Sequence, residues 1–231
     1  MRRLLPRLAL IGILPLSFTA VGCSSAAADP QSEGRSTDPS GVPEAGRLLF
    51  DGASLRAFET TVFGGEGEVA VEGGRLILDY GNPLTGVTWV GDELPRDDYR
   101  VDLVAQRIEG TDFFCGLTFP VRDGYATLVL GGWGGATTGL SCIDGMDASQ
   151  NETTRYLYYE TGVDQVVSVQ VAAGRVRCTV GDELLCDVAI EDHVWETRPE
   201  VELSKPFGVC SFTTRASIGP IRLTRLERAG D

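Results

Sequence analysis

From Arg47 onward the chain alternates apolar and polar side chains with a period of two rather than 3.6. Tyr99, Val101, Leu103 and Ala105 alternate with Arg100, Asp102, Val104 and Gln106. Phe113, Cys115, Leu117 and Phe119 alternate with Phe114, Gly116 and Thr118, and Val167, Val169 and Val171 with Ser168 and Gln170. Successive side chains of a strand face opposite ways, so this pattern predicts strands with one buried face. Turn signals recur at Asp51-Gly52, Gly73-Gly74, Asn82-Pro83, Asp123-Gly124, Gly181-Asp182 and Gly219-Pro220. Many short strands with frequent turns, and no convincing amphipathic helix, predict an all-β fold over 47–231. Its length suits a two-sheet antiparallel jelly-roll sandwich. If Leu117, Phe119, Leu128, Leu130, Leu140 and Cys142 point into the core, the opposite face presents Thr118, Tyr125, Thr127 and Ser141. Trp133 continues that face.

The pattern changes before Arg47. Arg2, Arg3 and Arg7 precede a short apolar stretch, Leu8 to Phe18, of about 11 residues, well below the ~20 of a membrane-spanning helix. Ala20-Val21-Gly22-Cys23 resembles a bacterial lipobox. The resemblance implies a signal peptide at 1–22 and lipidation of Cys23, with export to the bacterial cell envelope. Ser24, next to the lipidated residue, leaves the outer membrane or cell surface open. Residues 23–46 are rich in Ser, Ala, Pro, Gly and Asp and carry almost no large apolar side chain. Such a stretch cannot offset its ordering entropy, so it reads as a flexible tether.

Charge narrows the partners. The net charge is −13, and loss of the three leader arginines makes it −16. Such a surface repels phosphate backbones and argues against nucleic-acid binding. A lone histidine, His193, excludes His-rich zinc sites. Beside Glu191, Asp192 and Glu196 it reads as a surface loop residue.

Leu48-Leu49-Phe50-Asp51-Gly52-Ala53-Ser54-Leu55 resembles the opening motif of 3-keto-disaccharide hydrolase domains, loosely related to family sixteen glycoside hydrolases. Val69 to Leu76 resembles their next hairpin, and Phe207-Gly208-Val209 with Ile218 to Leu226 their closing strand pair. The resemblance implies a concanavalin- or laminin-G-like jelly roll that hydrolyses 3-keto-disaccharides or glycosides. Carbohydrate is then the expected partner, and the membrane is met through the lipid anchor alone.

The alternating acids of a retaining family sixteen glycosidase, E-x-D-x-x-E or E-x-D-x-E, are absent. Segment 131–155 instead crowds Trp133, Asp144, Asp147, Asn151, Glu152 and Arg155 among glycines. Opening a 3-keto glycoside needs a base beside the ketone and a donor for the developing oxyanion. Asp144 or Glu152 is the candidate base and Arg155 the electrophilic partner. Trp133, Tyr125, Thr127, Ser141, Asp147 and Arg198 are the candidate sugar contacts, and Arg198 and Glu200 flank Pro199 at a cleft rim. A structural calcium ion on Asp144 and Asp147 is an open alternative, with no catalytic metal expected and no cofactor specified. Loop caps and surface charges are the plain alternative for the whole segment. The second functional reading is a non-catalytic carbohydrate-binding or adhesion module. Two carboxylates and an arginine in one pocket would favour the enzyme, and a flat aromatic surface without paired acids the binder.

Five cysteines follow Cys23. With a three-residue loop, Cys178 and Cys186 fall opposite one another across a hairpin and are the expected disulfide in an exported compartment. Cys115 and Cys142 share the inferred core face, which leaves Cys210 unpaired. The alternative is five buried thiols.

Overall fold

The computed structural model describes residues 46–227. The expected signal peptide and Cys23, and the tether apart from Gly46, lie outside the described residues. Two antiparallel sheets form a jelly-roll sandwich. The nine-stranded sheet runs β13 (Glu183–Ala189), β12 (Arg175–Val180), β11 (Gln165–Ala172), β6 (Tyr99–Gly110), β15 (Thr214–Ile218), β4 (Arg75–Leu78) and β3 (Val69–Glu72). Beside β15, β6 also pairs β16 (Ile221–Arg225), which carries β1 (Arg47–Phe50). The seven-stranded sheet runs β10 (Arg155–Tyr156), β9 (Thr137–Ser141), β8 (Gly124–Gly132), β7 (Cys115–Val121), β14 (Gly208–Phe212), β5 (Leu84–Trp89) and β2 (Phe58–Thr60).

The predicted alternation builds the core between the sheets. Tyr99, Val101 and Leu103 of β6 and Val167, Val169 and Val171 of β11 meet Leu117 and Phe119 of β7 and Leu128 and Leu130 of β8. Burying each such side chain contributes about 1.5–3 kcal/mol. Two inward assignments need correction. Strand β7 starts at Cys115, so the alternation does not reach back to the two preceding phenylalanines. Phe114 enters the main core, whereas Phe113 packs with Phe212 in a second cluster around Leu84, Val201 and Cys210. Cys142 is buried outside the main core, because β9 ends at Ser141. Its backbone pairs with Glu196 instead.

The hairpin of β12 and β13 turns on two residues, Gly181-Asp182, not three. A register shift then leaves Leu185 unpaired and restores Cys178 opposite Cys186. Both are buried free thiols in this structure, as are Cys115, Cys142 and Cys210. Burial pushes the Cys178 thiol well up and that of Cys210 up to about 12.

One helical element, a 3-10 turn at Pro199–Ser204, occurs among the described residues. Pro199 lacks an amide hydrogen and suits a helical first turn. This turn packs against β5 and β14 and lays Glu200 and Val201 over the outer face of the seven-stranded sheet.

Candidate functional site

That outer face carries a pocket of about 210 Å³. Cross-strand register composes its floor. Thr127 of β8 stands opposite Ser141 of β9, and Leu84 of β5 opposite Phe212 of β14. The Thr127 and Thr118 hydroxyls are 2.9 Å apart, which fixes the threonine rotamer. Phe113 and Phe212 form the apolar wall, with ring centroids 5.6 Å apart. Trp133, Asp112, Arg198, Glu200 and Val201 complete the rim.

Trp133 occupies the β8–β9 turn in the left-handed backbone region, φ 50°. A bulky residue is rare there and costs of order 1–3 kcal/mol. The surroundings hold it: Gly134 N–H donates to Asp112 Oδ2 at 3.1 Å, and Gly135 N–H to Gly132 O at 3.1 Å. Arg107, buried on β6, ties both rim loops together. Its guanidinium donates to the carbonyls of Asp112 (3.2 Å), Gly131 (3.3 Å), Gly135 (3.3 Å) and Tyr159 (3.1 Å) and stacks over Phe114. Burial lowers its pKa. Gly131 makes room for it, since a Cβ there would lie 2.4 Å from Arg107 Nη2.

The carboxylates around the pocket all accept fixed hydrogen bonds. Asp112 takes the Phe113 N–H at 2.8 Å on its other oxygen. Asp147 takes Arg198 Nη1 at 2.8 Å and the Ser149 N–H and hydroxyl. Glu200 takes both Nη2 and Nε of Arg198, at 2.8 and 3.2 Å. That fork holds the Glu200 carboxyl below the usual glutamate range and raises Arg198. The Arg198 guanidinium carbon lies 6.0 Å from the Trp133 ring centroid, so the arginine joins acid and indole.

Of the remaining expected contacts, Tyr125 lies beyond the pocket lining. It is held between Arg96, 4.7 Å from its ring, and Lys205, 5.0 Å away, and Arg96 Nη1 donates to its hydroxyl at 3.0 Å. Asp144 and Glu152 do come together, but around His193 and outside the pocket lining. His193 Nδ1 is 2.7 Å from Asp144 Oδ2, and Nε2 is 3.0 Å from Glu152 Oε1. The other Asp144 oxygen accepts the Val194 N–H at 2.8 Å. The histidine, then the amide, lower the Asp144 pKa. Only an imidazolium donates to both acids at once. The loop reading of His193 missed this bridge, because nothing in local sequence brings residues 144, 152 and 193 together. Arg155 lies at the sheet edge and donates to the carbonyls of Thr154 and Glu152 in its own loop.

All four carboxylate oxygens of Asp144 and Asp147 thus already accept hydrogen bonds from protein groups. Among the described residues, no group of three or more His, Cys, Asp or Glu side chains is arranged to hold a metal ion. Asp112, Phe113 and Phe212 went unrecognised in the sequence as pocket residues. Their face became visible only once strand ends and register were known.

No family model and no curated protein matches the chain. Solved structures do. It is similar to Crh5 transglycosylase in complex with NAG, at 9% identity and TM-score 0.55, over 79% of this chain and 85% of that one. An endo-acting O-glycanase structure from the human gut microbiota matches at 13% identity and TM-score 0.52, over 78% and 100%. The carbohydrate-binding module CBM66 from Bacillus subtilis matches at 10% identity and TM-score 0.50, over 73% and 95%. At such identities the likeness establishes the fold alone.

Proposed function

We propose that this chain is a carbohydrate-binding domain that seats one sugar ring in the Trp133 pocket. The pocket's apolar walls suit the C–H face of a sugar, and Thr127, Ser141 and Arg198 converge on its hydroxyls. At about 210 Å³ it takes a ring rather than a chain. The observation that carries the binding reading is the Arg198–Glu200 fork. A glycosidic acid must hold a proton near neutral pH. Glu200 is shifted the other way. The solved neighbours of this fold, a sugar-binding module and glycan-processing enzymes, are consistent with a sugar ligand.

The second reading is hydrolysis of a 3-keto-disaccharide or glycoside, from the motif resemblance. It is favoured by one observation: Asp112, Glu200 and Arg198 line a single pocket. On either reading we propose that the chain is exported and anchored through a lipid on Cys23. Titration calorimetry against disaccharides and their 3-keto forms, with product chromatography, separates the two. Saturable binding with the sugar recovered intact supports the domain as a binder. Turnover lost in Asp112→Asn or Glu200→Gln establishes the hydrolase instead. Cys23→Ser is expected to move the protein out of the membrane fraction.

A further inference from the structure

Tyr156 and Tyr158 are 75% and 89% exposed, although their neighbours Leu157 and Tyr159 turn inward. Tyr159 is buried against Phe114, with ring centroids 5.1 Å apart, and its hydroxyl lies 3.0 Å from that of Thr138. The alternation therefore sends both exposed tyrosines to the opposite face from the core. Register identifies that face. Tyr156 stands opposite Thr137, and Thr137 opposite Gly132, so the three residues form one lateral row. Directly opposed residues share a face. A Cβ on Gly132 would meet Val129 at 3.0 Å and Asp112 and Phe113 at 3.8 Å, all three of which line the pocket. Tyr156 thus stands on the pocket side of the sheet, two strand spacings or about 10 Å from Gly132. Trp133, 44% exposed, follows Gly132 and lies at the pocket rim.

We propose that Tyr156 and Tyr158 are an outer stacking platform for a neutral oligosaccharide whose inner ring occupies the Trp133 pocket. The inference rests on the sugar-binding reading of that pocket. Three observations select this occupant. The platform stands on the pocket side of the same sheet, in the register row of Gly132. Its two side chains each offer an apolar ring face for stacking and a hydroxyl that can remain hydrated or bond to the sugar. The chain's net charge of −13 disfavours an anionic glycan. Tyr156 and Tyr158 lie about 7 Å apart along the extended chain, so they can underlie successive rings.

The test uses the full chain on an array of neutral glycans of one to six rings, followed by calorimetry on the strongest hit and its monosaccharide. The variants are Tyr156→Ala/Tyr158→Ala and Trp133→Ala. Each stacked aromatic is worth about two- to tenfold in affinity. The double variant is expected to lose about tenfold for the oligosaccharide and nothing for the monosaccharide. Trp133→Ala is expected to weaken both. Both tyrosines are exposed, so an unchanged melting curve is expected for the double variant. Wild-type oligosaccharide affinity in the double variant overturns the platform and leaves the pocket reading standing. That is also the result if the tyrosines serve a protein partner at the sheet edge. An array with no bound glycan overturns the pocket reading and the platform together.

Discussion

Arg198 grips Glu200 with two prongs, Nη2 at 2.8 Å and Nε at 3.2 Å, while its guanidinium faces the Trp133 indole from 6.0 Å. One cation thereby lowers the pKa of an acid and faces an aromatic ring at the pocket rim. Lysine cannot replace it, because an ammonium lacks the planar fork. Arg198→Lys is expected to cost about tenfold or more in sugar affinity by calorimetry, at an unchanged fold.

The fork also sets a pH limit. Glu200 is held below its ordinary value of 4.5 by Arg198. A lowered acid keeps its ion pair fully above the ordinary value and loses it as pH falls through the folded one. Sugar affinity controlled by this pair should be flat above 4.5 and fall only below it. Loss of affinity beginning near neutral pH would assign control to another group.

Arg107 is the support beneath the rim. Arg107→Met removes a buried donor and leaves the carbonyls of Asp112, Gly131, Gly135 and Tyr159 without it. The contacts to Gly131 and Tyr159 are buried; leaving a buried acceptor unpaired costs about 1–3 kcal/mol, so a loss of about 3 kcal/mol is expected. For a domain of this size that lowers the Tm by roughly 6–12 °C. Thermal unfolding followed by circular dichroism measures it.

His193 acts on the loops rather than on the pocket. In His193→Ala the Asp144 carboxyl should titrate closer to its ordinary 3.8, because its largest stabilising partner is gone. Carboxyl-carbon NMR reads this shift directly. Sugar affinity should be preserved. Its abolition would move the functional centre to the Asp144–His193–Glu152 bridge.

Cys178 and Cys186 stand opposite on neighbouring strands. Opposed Cα atoms lie about 4.5–5.5 Å apart, inside the range a disulfide spans. Peptide mapping of exported protein without reductant is expected to find them joined. Closing so short a loop adds about 2–3 kcal/mol, so the reduced domain should remain folded. Two free thiols in exported protein would reject the bond.

The period-two alternation determined the sandwich, because a strand's side chains sort to opposite faces whatever lies far away in sequence. Leu117, Phe119, Leu128, Leu130 and Leu140 were legible as core for that reason, and Thr127 and Ser141 as outer face. Local pattern failed where strands end. Phe113 left the core because β7 starts at Cys115, and Cys142 because β9 stops at Ser141. The site required more. Asp112, Trp133, Arg198 and Phe212 span a hundred residues of sequence and line one pocket only through register, a 3-10 turn and the buried Arg107. The bridge of Asp144, His193 and Glu152 arose the same way, from two distant loops. Alternation is a local consequence of backbone geometry, whereas the meeting of distant side chains depends on pairing energies summed over the whole sheet.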